Sequence, residues 1–192
     1  MGEKYIFNNE FNLEDEFIYV SSPASKSKKK FVQKENCIEN TYNEEIKDFD
    51  YVSIITKEKY NNGVTVRVKC SFDTFGAPLI VITDDYKTLE NGSYQYGLHF
   101  EVVAYENGCN VWHIVPGKEE KKPIDVTKVN AIEFPIEDKS MIDMEVTIKS
   151  QKLYIRVNDQ SFMAQHEEIP EQMHVGITAC EGINQFYEFE VE

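Results

Sequence analysis

From Ser140 to Glu192 the chain alternates apolar and polar residues over one strand-length run after another. A helix cannot gather residues of period two onto one side, whereas a half-buried strand must. Ile142, Met144, Val146 and Ile148 fall on one face, and Asp143, Glu145, Thr147 and Lys149 on the other. Ser150 and Gln151 turn the chain, and Leu153, Ile155 and Val157 resume the apolar face. Val175, Ile177 and Ala179, then Tyr187, Phe189 and Val191, repeat the pattern. Such a meander can bury its apolar side only against a second sheet, so the expected class is all-β, an antiparallel two-sheet sandwich.

The rest of the chain reads the same way. Strand-like runs occupy Glu16 to Val20, Phe31 to Gln33, Cys37 to Tyr42, Tyr51 to Thr56, Val64 to Phe72, Pro78 to Thr83, Tyr94 to Tyr105 and Asn110 to Val115. A charged loop is expected from Gly117 to Pro123, followed by a strand from Ala131 to Phe134. Asn61-Asn62-Gly63, Asn91-Gly92-Ser93, Asn107-Gly108 and Asn158-Asp159 supply residues that tolerate positive φ between the runs. Helical spacing is confined to single turns at Thr56 to Tyr60 and Glu167 to Gln172, the second interrupted by Pro170. No fixed-period repeat argues for a propeller or solenoid. With 192 residues the chain fits one domain, 1–192, in which 1–35 form an edge strand plus a loop wrapped over the sheets.

Charge narrows the partners. Thirty-four acidic against 20 basic side chains give a formal net charge of −14, which repels a phosphate backbone, so nucleic acid is not an expected partner. Arg67 and Arg156 are the only arginines, too few to read phosphate or anionic lipid. Lys26, Lys28, Lys29 and Lys30 form one basic run, read first as a solvated loop and second as a docking patch. No apolar run is long enough for a bilayer span or a secretory signal, and Ile6 stands where a myristoylation signal needs Ser or Thr. Membrane association is therefore not expected. Cys37, Cys70, Cys109 and Cys180 are widely spaced without a Cys-x-x-Cys, which suggests neither zinc nor a redox pair and fits reduced thiols in the cytoplasm. A secreted origin, after loss of a leader, would allow three disulfide connectivities.

Three stretches carry a family resemblance: Ile54-Ile55-Thr56-Lys57-Glu58-Lys59-Tyr60 leading into Val64-Thr65-Val66-Arg67-Val68; the hairpin from Val146 to Val157 ending in Asn158-Asp159; and Val175-Gly176-Ile177-Thr178-Ala179 before Phe186-Tyr187-Glu188-Phe189. Together they resemble the concanavalin A-like lectin/glucanase superfamily over about the last three-quarters of the chain. The resemblance implies a jelly-roll sandwich of two curved antiparallel sheets whose concave sheet commonly binds glycans. Its motifs are patterns of strands and turns, so function must be argued from a site.

A two-residue turn at Asn107-Gly108, with Glu106 facing Cys109, sorts one hairpin into two faces. Leu98, Phe100, Val102 and Ala104 join Val111, His113 and Val115 as core. His99, Glu101, Val103 and Tyr105 share the opposite face with Asn110, Trp112 and Ile114. That second face unites the single Trp with a Tyr, a carboxylate, an imidazole and an amide. Aromatic rings pack on the apolar C–H patches of a pyranose while carboxylate and amide oxygens hold its hydroxyls. The candidate ligand-binding residues are thus His99, Glu101, Tyr105, Asn110 and Trp112, and the expected partner is a carbohydrate. A one-residue bulge at Cys109 would move Trp112 to the other side.

Plainer readings accompany each of these residues. Trp112 also suits an inter-sheet position, and His113 reads as a hydrogen-bonded core histidine. Arg156 opposite Glu145 and Tyr154 opposite Thr147 read as ordinary cross-strand pairs. A glycoside hydrolase needs two carboxyl groups at a set separation. The glucanases of the resembled superfamily supply them from one strand in a pattern beginning Glu-x-Asp, which is absent here, so Glu101 would need a distant partner such as Glu181. There is likewise no Gly-x-Ser-x-Gly, no phosphate-binding Gly-rich loop and no His-Glu-x-x-His. Asp84-Asp85 beside the Asn91-Gly92 loop is a weak calcium candidate, being two carboxylates where calcium takes six to eight oxygens. No cofactor or other metal is expected. The reading is a non-catalytic, lectin-like protein; the alternatives are a glycoside hydrolase with nonclassical carboxylates and a structural or protein-interaction module whose site face is covered by the N-terminal segment or a second copy of the chain.

Overall fold

The computed structural model describes residues 2–25, 29–42, 51–119 and 121–192. Lys26 and Lys28 of the basic run lie outside the described residues. The described part is an all-β sandwich of two large sheets. The first, eight-stranded, runs from edge to edge as Gln160–Gln165, Lys152–Val157, Ile142–Lys149, Thr65–Asp73, Ile183–Val191, Ile38–Glu39 and Val32–Gln33, with Glu3–Ile6 also paired to Ile183–Val191. The second, ten-stranded, runs as Lys122–Glu133, Gly108–Glu119, His99–Tyr105, Ala77–Thr83, Gln172–Cys180, Tyr51–Thr56, Phe17–Ser21, Tyr94–Tyr96 and Tyr86–Thr88, with Tyr60–Asn61 also paired to Gln172–Cys180. The segment before residue 35 thus contributes Glu3–Ile6 and Val32–Gln33 to the eight-stranded sheet, Phe17–Ser21 to the ten-stranded sheet, and one helical turn, Leu13–Glu16, capped by the Asn12 side chain accepting from the Glu14 N–H.

The period of two decides what faces the interior. Ile142, Met144, Val146 and Ile148 are buried, and so are Leu153, Ile155 and Val157 across the Ser150-Gln151 turn, whose residues take φ of 53° and 59°. From the opposite sheet, Ile80, Ile82, Phe100, Val102, Val111, Val175 and Ile177 close the same core. Each such side chain contributes roughly 1.5–3 kcal/mol of apolar burial. The all-β sandwich expected from the C-terminal alternation is the fold observed.

Local departures have identifiable causes. In Ile183–Val191 a bulge at Tyr187 breaks the alternation: Phe186 pairs with Cys70 and Glu188 with Lys69. Phe186 and Phe189 are therefore both fully buried, while the Tyr187 hydroxyl bonds Ser71 and Gln185. The expected loop at Gly117 to Pro123 is a β-ribbon instead, with Gly108–Glu119 and Lys122–Glu133 paired out to Glu119 and Lys122. Its outer strand is a sheet edge, where charged residues guard unpaired backbone groups, and that composition imitates a loop. Thr56 to Tyr60 and Glu167 to Gln172 hold turns and strand residues rather than helix. All four cysteines are buried and unpaired.

Candidate functional site

The hairpin that carries the site turns at Glu106-Asn107, with Tyr105 opposite Gly108 and Ala104 opposite Cys109. This corrects the expected pairing of Glu106 with Cys109 by two residues, and Gly108 supplies the reason. It lies inside the ladder at φ 141°, where a Cβ would stand 2.1 Å from the Ile132 carbonyl oxygen. A glycine is needed there for close approach of the neighbouring strand, which pulls the turn back by one residue. Because the slip is even, every side chain keeps its face. A bulge does occur nearby, but on the other neighbour: Val111 pairs with Asn130 and Trp112 with Lys128, leaving Val129 as the extra residue. Pairing with His99–Tyr105 stays regular, and Trp112 stands directly opposite Glu101.

These residues lie on the face of the ten-stranded sheet turned away from the main core. Its floor is apolar: Ile55, Leu79, Val81 and Val103 are buried in a second hydrophobic layer against Tyr51, Tyr105 and Trp112. Over the part of this layer formed by Ala77, Val103 and Cys180 lies a cavity of about 460 Å³ lined by Glu101, Tyr105, Asn110 and Trp112 together. Its other walls come from Glu181, which sequence reasoning named only as a possible distant partner of Glu101, and from positions it did not assign. Phe75 and Glu181 reach in from two turns whose residues take positive φ, 64° and 55° respectively, and Ile124 and Val126 from the ribbon's outer strand. Phe75 is 74% exposed, an uncommon position for a large aromatic ring and the signal that could have drawn attention to it. Among the described residues, no Lys or Arg and no residue before Tyr51 lines this cavity.

Each polar group has a distinct setting. Glu101 is 6% exposed and lies 3.5 Å from His99 Nε2. His99 is fully buried beneath the cavity, stacked on the Tyr96 ring at 4.6 Å, and does not line it. Its Nδ1 is 3.1 Å from the Gly97 carbonyl, which can only accept, so Nδ1 carries a proton. With Nδ1 engaged in this way, Nε2 faces Glu101 without a hydrogen-bond partner among the described residues. Tyr96 is held by Ser53, whose Oγ is 2.5 Å from the phenol oxygen and 2.5 Å from Thr178 Oγ1. Burial, then the neighbouring Cys180 and Glu101, push the Tyr51 phenol well above its ordinary range, and burial does the same to Tyr96. Both remain neutral hydroxyls. Asn110 Oδ1 has no protein partner, and Lys128 Nζ sits 4.9 Å from the Trp112 ring centroid, a cation–π contact that steadies the indole.

The remaining expectations can be placed. His113 is buried, with its Nε2 lacking a hydrogen-bond partner. Glu145 stands opposite Arg156 and Thr147 opposite Tyr154, as expected of cross-strand pairs. At the weak calcium candidate, Asp85 Oδ1 accepts from the Tyr86 N–H, and no cluster of three metal-ligating side chains among the described residues includes Asp84 or Asp85.

No family model matches the sequence, and no curated protein does. Solved structures do. The carbohydrate-binding module CBM66 from Bacillus subtilis superposes with a TM-score of 0.59 at 8% identity, over 88% of this chain and 96% of that one. The exoplasmic/lumenal domain of VIP36, in its Ca2+/Man3GlcNAc-bound form, gives 0.62 at 11% identity, over 98% and 86%. The structure named BuGH16B gives 0.62 at 8% identity, over 99% and 92%. At these identities the likeness is one of fold. The chain has the jelly-roll β-sandwich fold of these structures, concanavalin A-like in its arrangement.

Proposed function

We propose that this chain is a non-catalytic carbohydrate-binding protein whose ligand lies in the cavity over the Glu101–Trp112 pair. One observation carries the reading: Glu101, Tyr105, Asn110 and Trp112 line a single cavity of about 460 Å³ above an apolar floor. The volume falls in the range of small-ligand sites, and the mixture of aromatic faces with a few fixed oxygen acceptors suits a neutral, polyhydroxylated molecule. Glu101, Glu106 and Glu181 line the cavity with no Lys or Arg among the described residues, which disfavours phosphate- or sulfate-bearing ligands. His99 supports Glu101 from beneath rather than touching the ligand.

A glycan array probed with the native chain and with Trp112→Ala tests this. Binding to one class of neutral glycan, weakened about tenfold or more in the variant, is expected, since a buried aromatic anchor is typically worth 1.4 kcal/mol or more. Equal binding by the two proteins would remove Trp112 from the site. A second reading, glycoside hydrolysis, draws on Glu101 and Glu181 sharing the cavity and on His99 Nε2 lying 3.5 Å from Glu101. Turnover of chromogenic glycosides, lost in Glu101→Gln, would favour that reading.

A further inference from the structure

On the core side of the same hairpin, the structure brings together three residues that no part of the cavity uses. We infer that His113, His166 and Glu168 bind one divalent transition-metal ion of the zinc class. Their candidate ligand atoms all lie within 4.8 Å of one another, the one such set of three found among the described residues. His113 projects from Gly108–Glu119 in the ten-stranded sheet. His166 and Glu168 lie on the link that leaves the edge strand Gln160–Gln165 of the other sheet and enters Gln172–Cys180. The ion would pin this inter-sheet crossover to the strand beneath Trp112.

His113 is the informative member. It is 8% exposed, and its Nε2 is a buried polar atom without a hydrogen-bond partner among the described residues. The nearest carboxylate oxygen, Glu168 Oε2, is 3.2 Å away but outside hydrogen-bond geometry. Buried polar atoms are rarely left unpaired, and each that is calls for a ligand or a cost in stability. The His166 ring lies tilted by 34° against His113 at 4.2 Å between centroids, and Phe100 flanks both, at 4.9 Å and 5.3 Å. An aromatic wall of this kind lowers the local dielectric and strengthens binding between ion and ligands.

The link is positioned before any ion arrives. The His166 N–H donates to the Gln151 carbonyl at 3.2 Å, Gln151 Nε2 donates to the Glu167 carbonyl at 2.9 Å, and the Ile169 N–H donates to the His166 carbonyl at 3.3 Å. His166 Nδ1 accepts from the Glu168 N–H at 3.2 Å. Ligation by His166 therefore gives up that bond, either directly through Nδ1 or, through Nε2, by moving the ring proton to Nδ1. Two imidazoles and one carboxylate select zinc-like ions over calcium or magnesium, which take oxygen ligands. Three protein ligands leave a fourth tetrahedral position for water.

The test is calorimetric titration of the chelator-treated full chain with Zn2+, in parallel with Ca2+ and Mg2+. Expected are one equivalent of Zn2+ at micromolar concentration, a melting temperature that climbs with the logarithm of free Zn2+, and no response to Ca2+ or Mg2+. His166→Asn and Glu168→Gln, which change exposed or half-buried side chains, should each weaken Zn2+ binding at least about tenfold while leaving far-ultraviolet circular dichroism unchanged. His113→Asn should abolish binding, and the two milder variants decide the matter if it fails to fold. Co2+ should give the visible d–d band of a tetrahedral site and quench the neighbouring Trp112 fluorescence. Zn2+ binding that survives both milder substitutions, as binding at the cysteine thiols would, overturns the inference, and so does the absence of saturable binding.

Discussion

The two sheets present outward faces of opposite character, although each strand obeys the same alternation. On the eight-stranded sheet the outward residues pair with one another. Arg67 Nε meets Glu145 at 2.6 Å, and its Nη1 reaches Glu190 and Glu192 at 3.3 and 2.8 Å. Arg156 joins Glu145 at 3.5 Å, Lys4 and Lys69 flank Glu188, and the Thr65 and Thr147 hydroxyls are 2.8 Å apart. These charges pair across neighbouring strands, so this part of the face is satisfied by itself. On the ten-stranded sheet the outward positions hold Ile55, Leu79, Val81 and Val103 around the buried Glu101 and His99. An apolar floor with few polar groups gains from being covered, by Tyr96 and Trp112 in part and by a ligand for the remainder. The lesson is that outward does not mean solvated.

The contrast can be broken where it is strongest. Leu79→Ala, at an outward position, should destabilise the fold by about 2–5 kcal/mol, the cost of a core deletion, in urea denaturation. A loss below about 1 kcal/mol would show that the second layer is not a packed core. A smaller effect comes from His174, whose Nδ1 lies 2.9 Å from the Thr56 carbonyl and whose burial holds its imidazole below the ordinary range. The unfolded chain then takes up the proton first, so stability is full above about pH 6.5 and is lost as pH falls through the lowered folded value. His174→Asn should shrink that loss in denaturation midpoints recorded between pH 7 and 5.

The least costly break is on the charged sheet. Arg67→Ala should cost about 1 kcal/mol or less, shrinking further in high salt, because these pairs are partly solvated. It should also flatten the acid limb of the stability profile. Burial alone would raise the Glu145 carboxyl, but the bonds from Arg67 and Arg156 outweigh it and hold the group below its ordinary range. The stability tied to that lowering is present above the ordinary carboxylate range and disappears as pH drops through the lowered value. An unchanged acid limb in the variant would mean that Arg156 alone sets the Glu145 titration.

Much of this was legible beforehand, for reasons that particular residues show. Glu101 and Trp112 can be placed on one face because side-chain direction has period two, and an error of two residues in the turn leaves parity intact. The Ser150-Gln151 turn is readable because the apolar series on either side keep step across it. Tyr187 was misplaced because a bulge leaves no mark in alternation until Phe186 and Phe189 are seen to be buried together. The ribbon at Gly117 to Pro123 was hidden by an edge strand's charges. Phe75 and Glu181, which finish the cavity, sit on turns far from the hairpin in sequence, and His166 and Glu168 approach His113 across an inter-sheet crossover.

What the amino-acid sequence determined by itself is the repeat of buried and exposed positions, the turn sites and the sign of the net charge, all of them properties of neighbours along the chain. Tertiary structure alone decided which residues far apart in the chain meet: Phe75 and Glu181 at the cavity of Trp112, and His113 beside His166. The physical reason is that long-range strand pairing is satisfied by backbone hydrogen bonds common to every residue. Those bonds fix how strands lie side by side, and only then do the particular side chains acquire neighbours.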